Sequence, residues 1–235
     1  MSKLSRGARA HFQPAQIARG GEFGTLIDPL ADAIRTDIAA SLGEWELEIG
    51  FGKGRYLLRR AQEDPTARLI GIELVSQYFR LAADRAHRKG LDDLVLMQGE
   101  ALFILATWLP RAFARRVHVY FPDPWPKAKH HRRRLFAEET LDLLLDALLP
   151  SGELVFASDH QKYAARVLEV LEGHPGLELE HLHEVWPDGP RTNYEAKYVE
   201  EGRPITRVIV RKRPGLEGEA LIHPVGRDGL LVAPA

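Results

Sequence analysis

From Trp45 onward, short apolar runs alternate with longer stretches in which apolar residues recur every three or four positions. That alternation reads as strand, then helix, repeated along the chain. Strands are expected at Trp45 to Ile49, Arg68 to Glu73, Leu94 to Gln98, Arg116 to Tyr120 and Glu153 to Ala157. Helices are expected at Arg55 to Gln62, Val75 to Lys89, Ala101 to Leu109, Arg133 to Leu149 and His160 to Leu171. Gly90 ends the second of these helices, and Pro150, Ser151 and Gly152 stop the fourth. Two late strands, Leu177 to His183 and Thr206 to Arg211, are separated by a polar stretch in which no helix is expected, which suits an antiparallel pair at one edge. The pattern predicts an α/β fold: a mostly parallel sheet covered by helices on both faces.

The ends of the chain differ. Asp28 to Leu42 has the spacing of a short amphipathic helix. Met1 to Gly24 carries Lys3, Arg6, Arg9 and Arg19 with no sustained period and reads as a basic, loosely ordered arm. Pro214 to Ala235 is punctuated by glycine and proline and reads as an appendage. The expected organisation is a basic arm with a short helix over 1–40, one catalytic domain over 41–213 and an extension over 214–235.

Composition narrows the function classes. The 235 residues are 45% hydrophobic, enough for one well-packed domain with modest extensions. Net charge is −1, so any nucleic-acid surface must be a local basic patch balanced by acid elsewhere. With no cysteine, disulfides, thiolate catalysis, cysteine-based zinc sites and iron–sulfur clusters are excluded. The longest apolar run, Leu141 to Leu149, is interrupted by Asp142 and Asp146 and falls short of the ~20 residues that span a bilayer. A soluble, cytoplasmic protein without a membrane partner is expected.

Chemistry concentrates at the strand ends. Glu48-Ile49-Gly50-Phe51-Gly52-Lys53-Gly54 joins the first strand to the first helix. Glycines there let backbone approach a ligand closely. The run lacks the pattern of a P-loop, and Gly54 comes one residue early for a dinucleotide fingerprint, where Arg55 stands instead. Glu48, two residues before Gly50, supplies negative charge where a helix N-terminus alone would favour an anion. That combination favours a cationic cofactor, S-adenosylmethionine, over a pyrophosphate-bearing one. Glu73, at the end of the second strand, stands where such sheets receive ribose hydroxyls. Glu100 suits the adenine amino group, and equally suits the start of a helix.

The fourth strand enters Phe121-Pro122-Asp123-Pro124-Trp125-Pro126-Lys127, whose prolines hold Asp123 and Trp125 with little entropy to lose on binding. Lys127 to Arg134 follows, with five certain positive charges and two histidines in eight residues. Positive charge at an expected helix start opposes the macrodipole, which favours an anionic partner such as RNA. The adjacent His130 and His131 point apart on a helix, and no metal site is expected.

Together, Glu48 to Gly54, Pro122 to Lys127, the basic run after it and Thr192-Asn193-Tyr194-Glu195 resemble the bacterial tRNA (guanine-N7)-methyltransferases. The resemblance implies a seven-stranded methyltransferase sheet with one antiparallel edge strand, and transfer of a methyl group to N7 of a guanosine in the tRNA variable loop. It implies that Glu48, Gly50, Gly52, Gly54, Glu73, Glu100 and Asp123 line the cofactor site, with Asp123 at the reaction centre. Lys127, Asp159, Thr192, Asn193, Tyr194 and Glu195 would hold the target nucleotide. Lys129, His130, His131, Arg132, Arg133 and Arg134 would contact RNA. Glu100 stands where the family has Asp, and Ser158-Asp159-His160 replaces Thr-Asp-Trp. Alternatives are a methyltransferase of another RNA or a small molecule, an NAD-dependent oxidoreductase, and a non-catalytic RNA-binding module.

Overall fold

A computed structural model describes residues 15–124 and 135–213. It contains nine strands: β1 (Gln16–Arg19), β2 (Glu22–Thr25), β3 (Trp45–Ile49), β4 (Arg68–Glu73), β5 (Val95–Gln98), β6 (Ala114–Tyr120), β7 (Leu148–Ser158), β8 (Leu177–Leu182) and β9 (Thr206–Lys212). The helices are α1 (Pro29–Ala40), α2 (Arg55–Glu63), α3 (Ser76–Arg88), α4 (Ala101–Thr107), α5 (Glu138–Ala147), α6 (Gln161–Glu172) and α7 (Asn193–Glu200). All strands join one sheet in the order β2-β1-β5-β4-β3-β6-β7-β9-β8.

The seven strands β3 to β9 carry the expected architecture. Neighbouring pairs from β5 through β7 are parallel, and β9 runs antiparallel to both β7 and β8. One face is packed by α1, α4, α5 and α6, through residues such as Ile34, Ile104, Leu144 and Val167. The other is packed by α2 and α3 around Leu57, Phe79 and Leu96, and by Trp186 against Tyr56 and Tyr120. Strand order reverses at β3: β4 and β5 are added on one side of it, and β6 and β7 on the other. The carboxyl ends of β3 and β6 therefore flank the switch point where such sheets bind ligands.

Three expectations change. Residues 16–25 are no loose arm but a hairpin, which adds two strands to the expected seven. Gly20 and Gly21 (φ 57° and 82°) form its two-residue turn, and Arg19 pairs with Glu22 across it. Two positive-φ residues match the twist of a tight hairpin, so the Gly-Gly pair marks a turn rather than slack. A helix, α7, does lie between the last two strands. Its only buried residue is Glu195, so it has no apolar stripe to betray it. Finally, α5 starts at Glu138, beyond the basic run, and the chain enters β7 at Leu148. Residues 149–152 bulge where β7 loses register with β6, which is how Pro150 and Gly152 are accommodated.

Gly71 in β4 places the switch-point loop. A side chain there would put its Cβ 2.4 Å from Leu57 Cδ1 and 2.6 Å from Phe51 Cδ1. Gly71→Val is therefore expected to destabilise the protein by at least about 2 kcal/mol through overpacking. Urea unfolding checks this as a lower midpoint with unchanged slope; an unchanged midpoint would show that Phe51 and Leu57 move aside freely.

Candidate active site

The loop after β3 divides its glycines between two tasks. Gly50, Gly52 and Gly54 all have positive φ (75°, 54° and 75°). A Cβ on Gly50 or Gly52 would meet nothing within 4 Å, so both border open space. A Cβ on Gly54 would stand 3.2 Å from Ala82 Cβ, so this glycine allows α2 to close on α3. Gly54 also N-caps α2.

The acidic candidates differ as sharply. Glu48 is buried in the middle of the sheet, and its Oε2 has no hydrogen-bond partner among the described residues. Burial, with the Glu73 charge added, pushes its carboxyl up to about 8 against a backbone hydrogen bond from Leu57 and the charge of Arg191. Glu73 is braced: Oε2 accepts from Gly52 N and Oε1 from Val75 N, each at 2.8 Å. It thereby holds the glycine loop in place. Glu100 is exposed and N-caps α4, accepting from Leu102 N and Phe103 N. An unpartnered buried carboxylate oxygen beside a glycine pair facing open space fits a cationic group, and two adjacent carboxylates would repel a pyrophosphate.

The strand ends β6 and β7 supply the next residues. Phe121 follows β6 with φ 51°, a left-handed conformation that costs a non-glycine residue about 1–2 kcal/mol. It is held there by its N–H on Ala157 O at 2.7 Å and by a ring contact with Tyr198. Strain of this kind just ahead of Pro122-Asp123 is common where geometry serves function. Asp123 is exposed at this end of the sheet, and Asp159 follows β7, 3.8 Å from Arg203 Nη1. Trp125, Lys127, Lys129, His130, His131, Arg132, Arg133 and Arg134 lie outside the described residues. Because α5 begins at Glu138, past the charge run, the dipole argument for an anionic partner does not apply to α5.

The segment 192–195 is a helix cap. Thr192 Oγ1 accepts from Glu195 N at 3.0 Å and starts α7. Asn193 Oδ1 accepts from Arg55 at the start of α2, and Tyr194 is exposed. Glu195 turns inward: it is fully buried, pairs with Arg207 Nε at 2.8 Å and accepts from Arg191 N at 2.8 Å. Its carboxylate is committed to holding α7, whereas the resemblance assigned it to the target nucleotide.

Sequence reasoning passed over a buried polar chain under the site. Arg191 Nη1 donates to the Tyr120 hydroxyl at 2.7 Å, and that hydroxyl lies 2.8 Å from His118 Nδ1. His118 Nε2 is 3.3 Å from Glu46, which also accepts from Arg60 and Arg115. Every donor finds an acceptor if His118 carries its proton on Nε2. Burial holds the His118 imidazole down to about 4, so it is neutral. Burial opposes charge on Glu46, but hydrogen bonding from His118 and the Arg60 guanidinium prevail and hold it far below the usual carboxylate range. Arg191 also lies 4.3 Å over the Trp186 ring. The available signal was Glu46 and Glu48 spaced two apart in a strand otherwise apolar, which puts two carboxylates on one buried face.

Fold and site together define a methyltransferase of the doubly wound class that binds S-adenosylmethionine. A family model described as putative methyltransferase matches residues 44–208. The tRNA (guanine-N(7)-)-methyltransferase of Mycolicibacterium paratuberculosis is 33% identical over 205 residues, covering 83% of this chain and 79% of that protein. That of Nitrosospira multiformis is 36% identical over 171 residues, covering 72% and 75%. The 16S rRNA (adenine(1408)-N(1))-methyltransferase of Catenulisporales acidiphilia, solved with its cosubstrate SAM, superposes with a TM-score of 0.57 at 18% identity, covering 85% of this chain and 98% of that one. The chain belongs to the tRNA (guanine-N7)-methyltransferase family.

The state of Glu48 has a measurable consequence. In the ligand-free protein its carboxyl holds a proton more tightly than in the unfolded chain, so stability falls as pH rises from 4.5 to about 8. A cationic ligand reverses the preference and expels the proton. The affinity for S-adenosylmethionine is expected to tighten as pH rises toward about 8, by up to about tenfold per unit, and then level. Glu48→Gln should bind more weakly at pH 8 and lose the slope. Calorimetry in buffers of different ionisation enthalpy counts the proton, and a slope that survives in Glu48→Gln would assign it elsewhere.

Proposed function

We infer that this chain transfers the methyl group of S-adenosylmethionine to N7 of a guanosine in tRNA, with the target in the variable loop. The reading is carried by one coincidence. A site whose buried carboxylate keeps one oxygen unpartnered, which suits a cationic methyl donor, belongs to a chain whose relatives, matched over most of their length, are named for that activity. Action on tRNA implies a cytoplasmic location. None of the described helices is long and apolar enough to cross a membrane.

When bound, the cofactor supplies an electrophilic methyl group. N7 of guanine has an in-plane lone pair and no proton, so no general base is required. The protein's tasks are alignment and stabilisation of the cationic purine that forms. Glu48 offsets cofactor charge beneath the open glycines Gly50 and Gly52. Glu73 fixes the glycine loop through Gly52 and serves the ribose end of the cofactor. Glu100 serves the adenine end and Gly54 seats α2. Asp123, held at the end of β6 by strained Phe121 and flanking prolines, places negative charge near the reacting purine. Asp159, Lys127, Thr192 and Asn193 hold the target nucleotide. Glu195 acts through Arg207 and Arg191 to position that segment. Lys129, His130, His131, Arg132, Arg133 and Arg134 attract the RNA backbone.

Incubation with unmodified tRNA transcript and labelled S-adenosylmethionine, followed by nucleoside mass spectrometry, is expected to yield 7-methylguanosine. Another methylated nucleoside would overturn the substrate, and a folded protein that binds no cofactor would overturn the reaction class. Asp123→Ala is expected to lower kcat by about a hundredfold, while tRNA affinity changes little. Equal losses in single-turnover and binding assays would make Asp123 a binding residue only. Replacing Arg132, Arg133 and Arg134 together should weaken tRNA binding and flatten its logarithmic salt dependence by roughly two to three units. An unchanged slope would identify the run as a solvated surface.

A further inference from the structure

Helix α7 presents an aromatic surface at the carboxyl end of the sheet. The rings of Tyr194 and Tyr198, one turn apart, stack with centroids 6.2 Å apart and planes inclined by 29°. Tyr198 also contacts Phe121, the strained residue that follows β6, at 5.8 Å. The Arg203 guanidinium lies 4.6 Å over the Tyr198 ring and reaches Asp159, which follows β7, at 3.8 Å. Burial and the Asp159 carboxylate both raise the Tyr198 phenol above its ordinary range, which agrees with this placement between the ends of β6 and β7. Beyond Arg203 an open cleft of about 890 Å³ continues past His183, Val199 and Thr206.

A tyrosine pair at this spacing adds only about 0.2–0.5 kcal/mol to a helix. That accounts for the contact between the rings, not for a tyrosine left 58% exposed beside the reaction centre. Exposed aromatic faces next to an arginine plane are how proteins hold unstacked RNA bases, because every base has a π-face. An enzyme that draws its target guanosine into a pocket takes it out of its own stack, which strips its neighbour of a stacking partner.

We propose that Tyr194, Tyr198 and Arg203 form a second RNA subsite that stacks an unpaired nucleobase next to the methylated guanosine. The inference rests on the function proposed above and extends it to a second nucleotide. Arg203 sits between the ring platform and the cleft, so the strand leaves the reaction centre over Tyr198 and runs along the β8 and β9 edge. Neither tyrosine takes part in bond making. Both act on tRNA capture.

The test begins with wild-type protein and tRNA transcript under the methylation assay. Tyr198→Ala and Tyr194→Ala are each expected to raise the KM for tRNA about ten- to a hundredfold, the range that loss of one base–aromatic stack produces. kcat at saturating tRNA and the affinity for S-adenosylmethionine should stay within about twofold, while Tyr198→Phe and Tyr198→Trp restore the KM. Tyr194 is exposed, so its variant carries the test even if Tyr198→Ala folds poorly. A transcript with 2-aminopurine on either side of the methylated guanosine should be quenched on binding wild type and not on binding Tyr194→Ala. Unchanged KM in both alanine variants, or no fluorescence change at either neighbour, would overturn the subsite and leave the methyltransferase reading intact. A wild-type protein that does not methylate tRNA would overturn the proposed function, and this inference with it.

Discussion

Two carboxylates buried two residues apart on the central strand govern this site. Glu46 and Glu48 leave β3 on the same face, almost without solvent. Burying a charge is costly unless partners replace water, and the two are treated in opposite ways. Glu46 receives Arg60, Arg115, His118 and Tyr56, and stays ionised. Glu48 keeps an oxygen without a partner, and burial with Glu73 nearby favours its protonated form. Neighbouring acids with environments that drive them apart are a recurrent feature of functional sites. Here the first anchors structure, and the second keeps one oxygen without a protein partner, an environment that suits a positively charged ligand.

The anchored charge reaches further than β3. From Glu46 the hydrogen-bond chain passes through His118 and Tyr120 to Arg191, whose guanidinium also meets Asp188. Asp188 in turn accepts from Arg59 on α2, and Arg55 at the start of that helix reaches Asn193. The segment leading into α7 is thus tied to the helix that begins at the cofactor loop. Fixing both to α2 keeps the start of α7 at a set distance from the glycines, the kind of rigid spacing that group transfer between two bound ligands requires.

Much of this was legible in sequence because it is local. The seven core strands, most helix positions and the glycine loop follow from alternation, punctuation and two-residue periodicity. Gly20-Gly21 was misread although a two-glycine turn between short strands is a hairpin signal. Thr192-x-x-Glu195 also has the form of a capping box, yet α7 was missed because its one buried side chain is an acid rather than an apolar residue. Glu195 departs from that motif, accepting from Arg191 N and from Arg207, 12 residues on, so a role in holding the helix emerged only with the tertiary structure. Arg191, Tyr198 and Arg203 were invisible for the same reason. Apart from the Tyr194–Tyr198 pair on α7, their partners at the site, Tyr120, Phe121 and Asp159, lie on or just after β6 and β7, far from them in the chain.

The near-neutral charge of the chain is likewise a matter of placement. Across the described surface, cations are largely answered by neighbouring acids. Arg116 and Arg211 share Glu153, Arg211 also meets Glu180, Arg68 meets both Asp37 and Glu44, and Arg111 meets Asp146. Such pairs add little stability each, but they cancel field far from the site. Lys127 to Arg134 contains no acid at all, and it directly follows the loop that bears Asp123. The densest positive charge that the sequence encodes therefore directly follows Asp123 in the chain, and the aromatic surface of α7 lies at the same carboxyl end of the sheet as Asp123. Net charge reports none of this, because attraction to RNA depends on where acid is absent rather than on the sum.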